Sequence, residues 1–411
     1  ADWSWHAAQL LNLPTVWAHD DPNQAQLQAL LAQADIVIDG LLGVGVNRLV
    51  SDDLAAIINV VNQRHVPVLA IDVPSGLDAD SGKIWGTVIH ATMTVATGLY
   101  KRGHFLYPGA AHVGVLALAP IDLPHTVEFP MANELNRETL RALVPARPVD
   151  GHKDTFGRVM IVAGSYFYPG AAVLAARSAA RSGVGVVTLA CPRSIFGSSV
   201  VNLPEATYLP LPEGEIGALN EAAAMTILEK LGKYKAMLVG CGLGTEEGTA
   251  DFLKMLIGIT PAKRKFGVGF LPSHEEETPK RKMGVGFGVA RSTEEKASKD
   301  SEKSSEPFHL PPLVLDADAL NLLAQTDNWW EKLSDLEVVI TPHVGEMARL
   351  FKVEKLDDDH PTIALDAAKS WGVTVVLKAA HTVIASPNGD LTIHSAANPA
   401  LATAGSGDVL A

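Results

Sequence analysis

The 411-residue chain contains only two cysteines, Cys191 and Cys241, and lacks an apolar run long enough to cross a membrane. A transmembrane helix needs about 20 consecutive apolar residues, so we expect no membrane partner. Two cysteines this far apart offer neither a disulfide framework nor the spacing of a metal site. We therefore expect two buried, reduced thiols and a cytoplasmic protein.

Basic residues are outnumbered by acidic ones. The chain has 33 Lys and Arg residues against 46 Asp and Glu residues, which gives a formal net charge of −13. Because nothing offsets repulsion from the phosphates of a nucleic acid, we expect no nucleic-acid partner. The composition, 47% hydrophobic and 19% charged, is that of a globular protein. The length suggests two domains, each able to bury a core.

Short β-branched runs alternate with loops and helical patterns in the first part of the chain. The strand-like runs cover residues 34–39, 66–72 and 91–96. Such runs are typical of strands buried in a parallel sheet. The alternation predicts a doubly wound α/β sheet that binds ligands at the carboxyl ends of its strands. Asp39 and Asp72 close two of these strands and should lie at that edge.

Three chemical features share this predicted edge. The glycine-containing loop from Gly43 to Leu49 suits a phosphate or a ribose. Asp39 and Ser75 supply hard oxygen ligands for an alkali or alkaline-earth cation. Asp72 is placed to accept a hydrogen bond or a proton from a bound ligand. An alternative stays open, in which Asp39 and Asp72 only cap helices or hold turns.

Two segments interrupt the α/β pattern. Residues 126–150 mix proline and charge with a helical pattern over 133–143, which indicates a linker. Residues 260–308 hold two near-copies, 263–270 and 280–287, among Glu, Lys and Ser runs without apolar periodicity. We predict a disordered, solvated insertion there, with a translated non-coding segment as the alternative.

A second α/β unit begins near residue 151, and several of its strand-like runs end in polar or glycine residues. These residues are Gly242, Gly244, Asp316, Asp318, His343 and Lys378. Each also has a plainer interpretation when taken alone. His343 could be a turn residue, Lys378 a solvated lysine, and the two aspartates caps of the helix that follows.

The stretch Gly405-Ser406-Gly407-Asp408 joins a run of small residues to the start of a helix. Glycine turns can present successive N–H groups to an anion. Asp408 would repel a phosphate, but it can accept the proton of a hydroxyl that attacks one. The stretch predicts a phosphoryl-transfer site, with a plain turn as the alternative. Because the first turn of a helix is costly to form, we expect no stable helix after Gly405 and a loosely held anion cradle.

Five motifs of the second half occur together and in a fixed order. They are Gly164-Ser165 with Tyr168 and Gly170-Ala171, then Asp316 to Leu320, Thr341 to Glu346, Lys378 to Thr382, and Asn398 to Leu410. In this order they resemble the ADP-dependent NAD(P)H-hydrate dehydratases, members of the ribokinase-like superfamily. Asp39, the Gly43 loop and the stretch from Asp72 to Asp78 resemble the NAD(P)H-hydrate epimerase domain. The resemblance implies two Rossmann-like, doubly wound domains, the second of them ribokinase-like.

The resemblance also implies a role for each motif residue. Asp39 and Ser75 would bind K⁺, and Asp408 would be the catalytic base. The hydrated nicotinamide nucleotide would contact Gly43, Val44, Gly45, Val46, Asn47, Arg48, Leu49, Asp72, Ala171, Gly242, Gly244, His343 and Asp408. The adenine nucleotide, ADP or ATP with Mg²⁺, would contact Lys378, Ala379, Ala380, His381, Thr382 and Gly407. We also expect a homo-oligomer.

The implied reaction is repair of NAD(P)H that has added water at C6 of its nicotinamide ring. Transient phosphorylation would turn the C6 hydroxyl of the S epimer into a leaving group, and the first half would interconvert the R and S epimers. Residues 1–125 lack the Asn-Asn-Gly-Gly-Asp-type loop of the epimerases, and residues 151–411 stop soon after Asp408. We therefore expect two incomplete domains and weak activity.

Other functions stay open at this point. One is a small-molecule kinase of the same superfamily, acting on an alcohol such as a hydroxymethylpyrimidine. Another is a nucleotide-binding protein without turnover. Neither the choice between ADP and ATP nor that between the NADH and NADPH hydrates can be read from the residues.

Overall fold

A computed structural model describes residues 2–122, 132–259, 310–394 and 396–411. The insertion predicted over 260–308 lies outside the described residues. Within them, the strands form two separate sheets. No helix in these ranges combines the length and the apolar character that a bilayer-crossing segment requires.

The first sheet is parallel, and its strands are neighbours in chain order. Its strands are β1 (Val37–Asp39), β2 (Val68–Ile71), β3 (Met93–Thr97) and β4 (Val115–Ala119). The helices of this part are α1 (Asp2–Leu10), α2 (Ala25–Leu31) and α3 (Asp52–Asn62). As predicted, Asp39 ends β1 and Asp72 follows β2, so both lie at the carboxyl edge of the sheet.

One face of the first sheet is open to solvent in the described part of the chain. The β-branched runs predicted strands buried on both faces, yet Ile38 is 64% exposed and Ile71 is 47% exposed. Helices α2 and α3 cover the opposite face, where Ile58, Val61 and Val68 are buried. The prediction was wrong for one face because β-branched residues favour strands whether or not both faces are covered.

The second sheet is mixed and larger. Its strands are β5 (Asn133–Glu134), β6 (Arg158–Val162), β7 (Val186–Pro192), β8 (Thr207–Leu211), β9 (Ala236–Val239), β10 (Leu313–Leu315), β11 (Val338–Ile340), β12 (Thr374–Lys378), β13 (Thr382–Ala385) and β14 (Leu391–His394). They lie in the order β5-β14-β13-β12-β11-β10-β9-β6-β7-β8. The chain order reverses between β6 and β9, and such a switch point is where open α/β sheets bind ligands.

Helices cover both faces of the second sheet. They are α4 (Arg137–Leu143), α5 (Pro169–Arg181), α6 (Arg193–Asn202), α7 (Glu221–Leu228), α8 (Glu247–Leu256), α9 (Asp318–Leu323), α10 (Val344–Leu350), α11 (His360–Trp371) and α12 (Ser406–Leu410). Met160 of β6 belongs to one buried cluster, and its neighbour Ile161 belongs to the other. Because successive strand residues point to opposite faces, β6 is buried on both sides. The predicted α/β class is confirmed.

The segment predicted as a helix over 133–143 begins as a strand instead. Asn133 and Glu134 form β5, which pairs with Thr392 and Ile393 of β14. The helix starts only at Arg137, after Asn136, whose side chain accepts hydrogen bonds from the first helical turn. A two-residue edge strand was missed because its pairing partner lies far along the chain. The edge strand places part of the predicted linker in the second sheet.

The structure contradicts the expectation that no helix forms after Gly405. Residues Ser406–Leu410 form α12, which packs against α5. Ser178 Oγ donates a hydrogen bond of 2.5 Å to the carbonyl oxygen of Val409. Ala411 packs against the buried cluster on that face of the sheet. The prediction was wrong because it treated the helix in isolation, whereas tertiary packing stabilises short helices.

Candidate functional site

Residues of four of the five motifs, together with Cys241, lie at the carboxyl ends of five strands of the second sheet. Gly164 follows β6, Cys241 follows β9, Asp316 follows β10, His343 follows β11 and Lys378 ends β12. Parallel strands end at the same edge, and this edge includes the switch point between β6 and β9. The structure therefore brings together motifs that are far apart in the sequence.

The buried carboxylate of Asp316 connects three of these strand ends. Asp316 is 1% exposed, and its Oδ1 accepts hydrogen bonds of 2.7 Å from both Lys378 Nζ and Thr341 Oγ1. The Cys241 thiol points at Oδ2 from 3.9 Å. A Cβ at Gly240 would lie 1.8 Å from the Asp316 carbonyl oxygen, so only glycine allows this approach. Lys378 is thus held by a buried ion pair rather than being a solvated lysine.

Asp408 lies beside this ion pair. Burial raises the pKa of Asp408, the Cys241 thiol and the Lys378 cation lower it, and the carboxylates of Asp316 and Asp318 raise it, for a net increase. Burial and the two neighbouring carboxylates raise the pKa of Cys241, so its sulfur stays protonated and donates. A carboxylate with a raised pKa is the better proton acceptor near neutral pH.

The turn before Asp408 presents free N–H groups. Gly405 has φ +88°, a conformation that favours glycine, and it leads directly into α12. Within the described residues, the N–H groups of Gly407 and Asp408 have no acceptor, as expected for the first turn of a helix. A Cβ at Gly407 would lie 3.8 Å from Lys378 Nζ. The N–H groups and the lysine cation together suit an anion.

The glycine turn after β9 lies against the start of α5. A Cβ at Gly242 would lie 2.7 Å from the Ala171 side chain and 2.8 Å from Tyr168 Cβ. Gly244 N donates a 2.9 Å hydrogen bond to Asp318 Oδ2. Asp318 therefore holds this turn, and no side chain caps α9. Gly242 and Ala171 therefore lie side by side, with Gly244 two residues further along the turn.

His343 caps α10, which is the turn role left open from the sequence. Its Nδ1 accepts hydrogen bonds from the backbone of Gly345 at 2.9 Å and Glu346 at 3.3 Å. The Glu346 carboxylate in turn accepts a hydrogen bond of 2.8 Å from the backbone N–H of His343, which completes a capping box. Because Nδ1 accepts, the proton of the neutral ring sits on Nε2. The side chain is 53% exposed, so it also remains open to a ligand.

The stretch predicted to contact the adenine nucleotide divides into exposed and buried residues. Ala379 and Ala380 are exposed, whereas His381 is only 2% exposed. His381 Nδ1 accepts a 3.3 Å hydrogen bond from Tyr107 N, and its ring centroid lies 5.4 Å from that of His360. Burial lowers the pKa of His381 to about 4. Of these three residues, only Ala379 and Ala380 present an accessible surface to a nucleotide.

At the edge of the first sheet, Asp39 and Ser75 form a buried pair. Ser75 donates to the Asp39 carboxylate from Oγ at 2.6 Å and from N at 2.8 Å. The carbonyl oxygen of Leu42 lies 3.3 Å from Ser75 Oγ. This oxygen-only set fits the chemistry of a hard cation, although the same bonds also hold the turn. Among the described residues, no three His, Cys, Asp or Glu side chains are grouped as metal ligands.

Asp72 is held by a lysine that was not predicted from the sequence. Its Oδ1 accepts hydrogen bonds from Lys101 Nζ and, at 2.8 Å each, from the backbone and hydroxyl of Thr97. Burial raises the pKa of Asp72, but the bonds from Lys101 and Thr97 outweigh it and hold the pKa below its usual value. Lys101 follows β3 at the same sheet edge, which is the one signal that could have identified it.

The loop from Gly43 to Leu49 remains accessible. A Cβ at Gly43 or Gly45 would meet no atom within 4 Å, and Leu49 is 72% exposed. Neighbouring structure therefore does not require glycine at either position. The open space above the loop leaves room for a ligand.

A family model described as NAD(P)H-hydrate dehydratase matches residues 159–258 and 282–411. A model described as the N-terminus of YjeF-related proteins matches residues 1–103. The first match lies in the part of the chain that forms the second sheet, and the second match lies in the part that forms the first sheet.

Two similar proteins are both called bifunctional NAD(P)H-hydrate repair enzyme Nnr. The one from Moorella thermoacetica is 35% identical over 387 residues, which is 92% of this chain and 63% of that protein. The one from Synechocystis is 34% identical over 393 residues, again 92% of this chain and 63% of the relative. The chain thus spans less than two thirds of the length of these relatives.

Among solved structures, an ADP/ATP-dependent NAD(P)H-hydrate dehydratase from Bacillus subtilis, co-crystallised with ATP and Mg²⁺, is 24% identical. The superposed region covers 68% of this chain and 78% of the Bacillus subtilis chain, with a TM-score of 0.46.

Proposed function

Because the chain belongs to the NAD(P)H-hydrate dehydratase family, we propose that its second half dehydrates hydrated NADH or NADPH in an ADP- or ATP-dependent reaction. The observation that carries the proposal is the position of Asp408, a carboxylate of raised pKa beside the Lys378 cation and the free N–H groups of the glycine turn. A base and an anion-binding surface next to each other are what phosphoryl transfer to a hydroxyl requires.

In the first step, Asp408 removes the proton of the C6 hydroxyl as its oxygen attacks the terminal phosphorus of the nucleotide. Lys378 and the N–H groups of Gly407 and Asp408 hold the phosphoryl oxygens. An exposed helix N-terminus stabilises an anion by only about 0.3–1 kcal/mol. Most of the acceleration must therefore come from positioning and from the lysine cation.

In the second step, the lone pair of the ring nitrogen expels the phosphate from C6, and loss of the C5 proton restores the reduced nicotinamide. His343, Ala171 and the turn at Gly242 and Gly244 orient the ring. Mg²⁺, when bound with the nucleotide, would supply positive charge to the phosphates.

For the first half, we assign the epimerase reaction to the edge that carries Asp72 and the loop from Gly43 to Leu49. Asp72 is the group placed to transfer a proton, and Lys101 keeps it ionised. Asp39 and Ser75, with the carbonyl of Leu42, would hold K⁺. Epimerisation would supply the second half with the S epimer, in a cytoplasmic homo-oligomer.

Replacing Asp408 by Asn tests the dehydratase proposal. With S-hydrate and ADP, we expect the parent to restore the absorbance of the reduced nicotinamide, and Asp408→Asn to be slower by about 10²–10⁴-fold. Calorimetry should show that ADP still binds. The matched control is Asp154→Asn, which removes an exposed carboxylate that pairs with Arg158. An Asp408→Asn variant as fast as its parent would end the proposal.

The same assay addresses the kinase alternative. A kinase acting on a hydroxymethylpyrimidine-type alcohol would accumulate a stable phosphorylated alcohol and would not regenerate NAD(P)H. No contact in the described residues favours that substrate over the nicotinamide hydrate. Mass analysis of the products separates the two functions.

A further inference from the structure

A cavity of about 600 Å³ opens between the C-terminal parts of α9 and α10. Its lining residues are Asn321, Ala324, Gln325, Arg349, Lys352 and Val353. Two of these carry positive charge, two carry carboxamides, and none carries a carboxylate. In a chain of net charge −13, such a lining favours an anionic ligand.

The guanidinium of Arg349 is held in place by a chain of hydrogen bonds that begins at the candidate site. Gly244 N donates to Asp318, Asn321 Nδ2 donates to the other carboxylate oxygen at 3.3 Å, and Arg349 Nε donates to Asn321 Oδ1 at 2.8 Å. Among the described residues, nothing accepts a hydrogen bond from its two Nη groups, and no carboxylate pairs with it. Paired guanidinium N–H groups of this kind match the geometry of a phosphate.

Arg349 also points toward the ligand-binding end of α10. Side chains on a helix lean toward its N-terminus, so a long one reaches back over the preceding turn. A Cβ at Gly345 would lie 3.7 Å from Arg349 Nη1 and 2.9 Å from His343 Cε1. The guanidinium and the exposed histidine ring therefore flank the same residue at the start of the helix.

Lys352, the second cation of the cavity, is less available. Its ammonium pairs with the carboxylate of Asp327. The free positive charge of the cavity thus belongs to Arg349. This difference between two basic residues on one wall provides a matched control.

Building on the proposed function, we propose that this cavity binds a phosphate group of the dinucleotide substrate through Arg349. The nicotinamide would lie at His343, and the phosphate-bearing remainder of the molecule would extend along α10 into the cavity. Two phosphates of the substrate share this chemistry: the pyrophosphate bridge and, in the NADPH hydrate, the 2′-phosphate. Arg349 would then determine how tightly the substrate is held without taking part in the chemical step.

The test is Arg349→Gln, with Lys352→Gln as control, assayed with both hydrates. A lost charge-assisted contact should raise KM by about 10-fold or more and leave kcat unchanged. Lys352→Gln should change KM less than about 2-fold, because its charge is already paired. The KM for ADP should not move in either variant. An equal effect on both hydrates identifies the pyrophosphate, whereas an effect on the NADPH hydrate alone identifies the 2′-phosphate.

Calorimetric titration with NADPH separates failure of this inference from failure of the proposed function. If the parent does not dehydrate either hydrate but binds NADPH about 10-fold more tightly than Arg349→Gln does, the phosphate site stands and the proposed reaction falls. If the parent is active and Arg349→Gln shows unchanged KM values and unchanged NADPH affinity, the phosphate site is refuted. An equal rise in the KM for ADP would refute it as well.

Discussion

Replacing Cys241 by Ala should move the pH dependence of the dehydratase. The Cys241 thiol interacts with two carboxylates: its sulfur lies 3.9 Å from Asp316 Oδ2, and it lowers the pKa of Asp408. Its hydrogen bond stabilises the ionised form of Asp408 and so lowers the pKa of that group, against the larger effect of burial. Without the thiol, the pKa of Asp408 should rise further.

The size of the shift follows from the strength of one hydrogen bond. Bonds to charged groups contribute about 1.5–3 kcal/mol, and a thiol is a weak donor, so we take the lower limit of that range. One pKa unit corresponds to about 1.4 kcal/mol. We therefore expect the pKa of Asp408 to rise by about 1 unit. Because the base must be ionised, the fall in rate on the acid side should begin about 1 pH unit higher.

The assay is the pH profile of kcat/KM for regeneration of the reduced nicotinamide, measured on the parent, Cys241→Ala and Cys191→Ala. Both thiols are fully buried in the same cluster, so each change removes one sulfur atom from one core. Cys191 is not among the groups that shift the pKa of Asp408, and its profile should match the parent. If the acid limb of Cys241→Ala coincides with that of the parent, the role given to Cys241 is refuted. If both variants shift by the same amount, the cause is a general effect of core packing.

Two further predictions concern the other titrating groups. His381 is neutral in the folded protein, where burial lowers its pKa to about 4. As the pH drops below 6.5, the ordinary pKa of histidine, the unfolded chain binds a proton at this residue before the folded protein does. The free energy of unfolding therefore decreases. Between pH 7 and pH 5, denaturant titrations should show the parent losing about 1–2 kcal/mol more than His381→Gln, and equal losses would contradict this. Lys101→Met should raise the pKa of Asp72 by about 1 unit in a carboxyl NMR titration, since an ion pair is lost. Arg102→Met, which alters a cation not bonded to Asp72, should leave that titration unchanged.

The positions of strands and strand-end residues could be predicted because they depend on short stretches of sequence. Buried β-branched runs that end in polar residues placed Asp316, His343 and Lys378 at one edge of a parallel sheet. The structure agrees, since all three follow or end neighbouring strands. Their chemical roles were less accessible. The sequence could not distinguish an ion-paired Lys378 from a solvated one.

What could not be predicted depends on contacts between distant segments. Thr341 and Cys241 reach Asp316 only after separate strands are aligned, so neither contact can be read from one stretch of sequence. The hydrogen bond from Arg349 to Asn321 likewise joins two helices. The stability of α12 was misjudged for the same reason, because its partner α5 lies far back in the chain.

The buried ion pair resolves a conflict inside the proposed site. A phosphoryl-transfer site needs a cation for the phosphate and an ionisable base for the hydroxyl, yet a cation bonded directly to the base would weaken it as a proton acceptor. Here Lys378 bonds to Asp316, so its charge can face the glycine turn while Asp408 keeps a raised pKa. Asp316 is buried, and its Oδ1 accepts hydrogen bonds from both Thr341 and Lys378, which suits a group that only holds the cation. Asp316 and Asp408 have chemically identical side chains. Their different roles, holding the Lys378 cation and accepting a proton, therefore follow from differences in burial and hydrogen bonding.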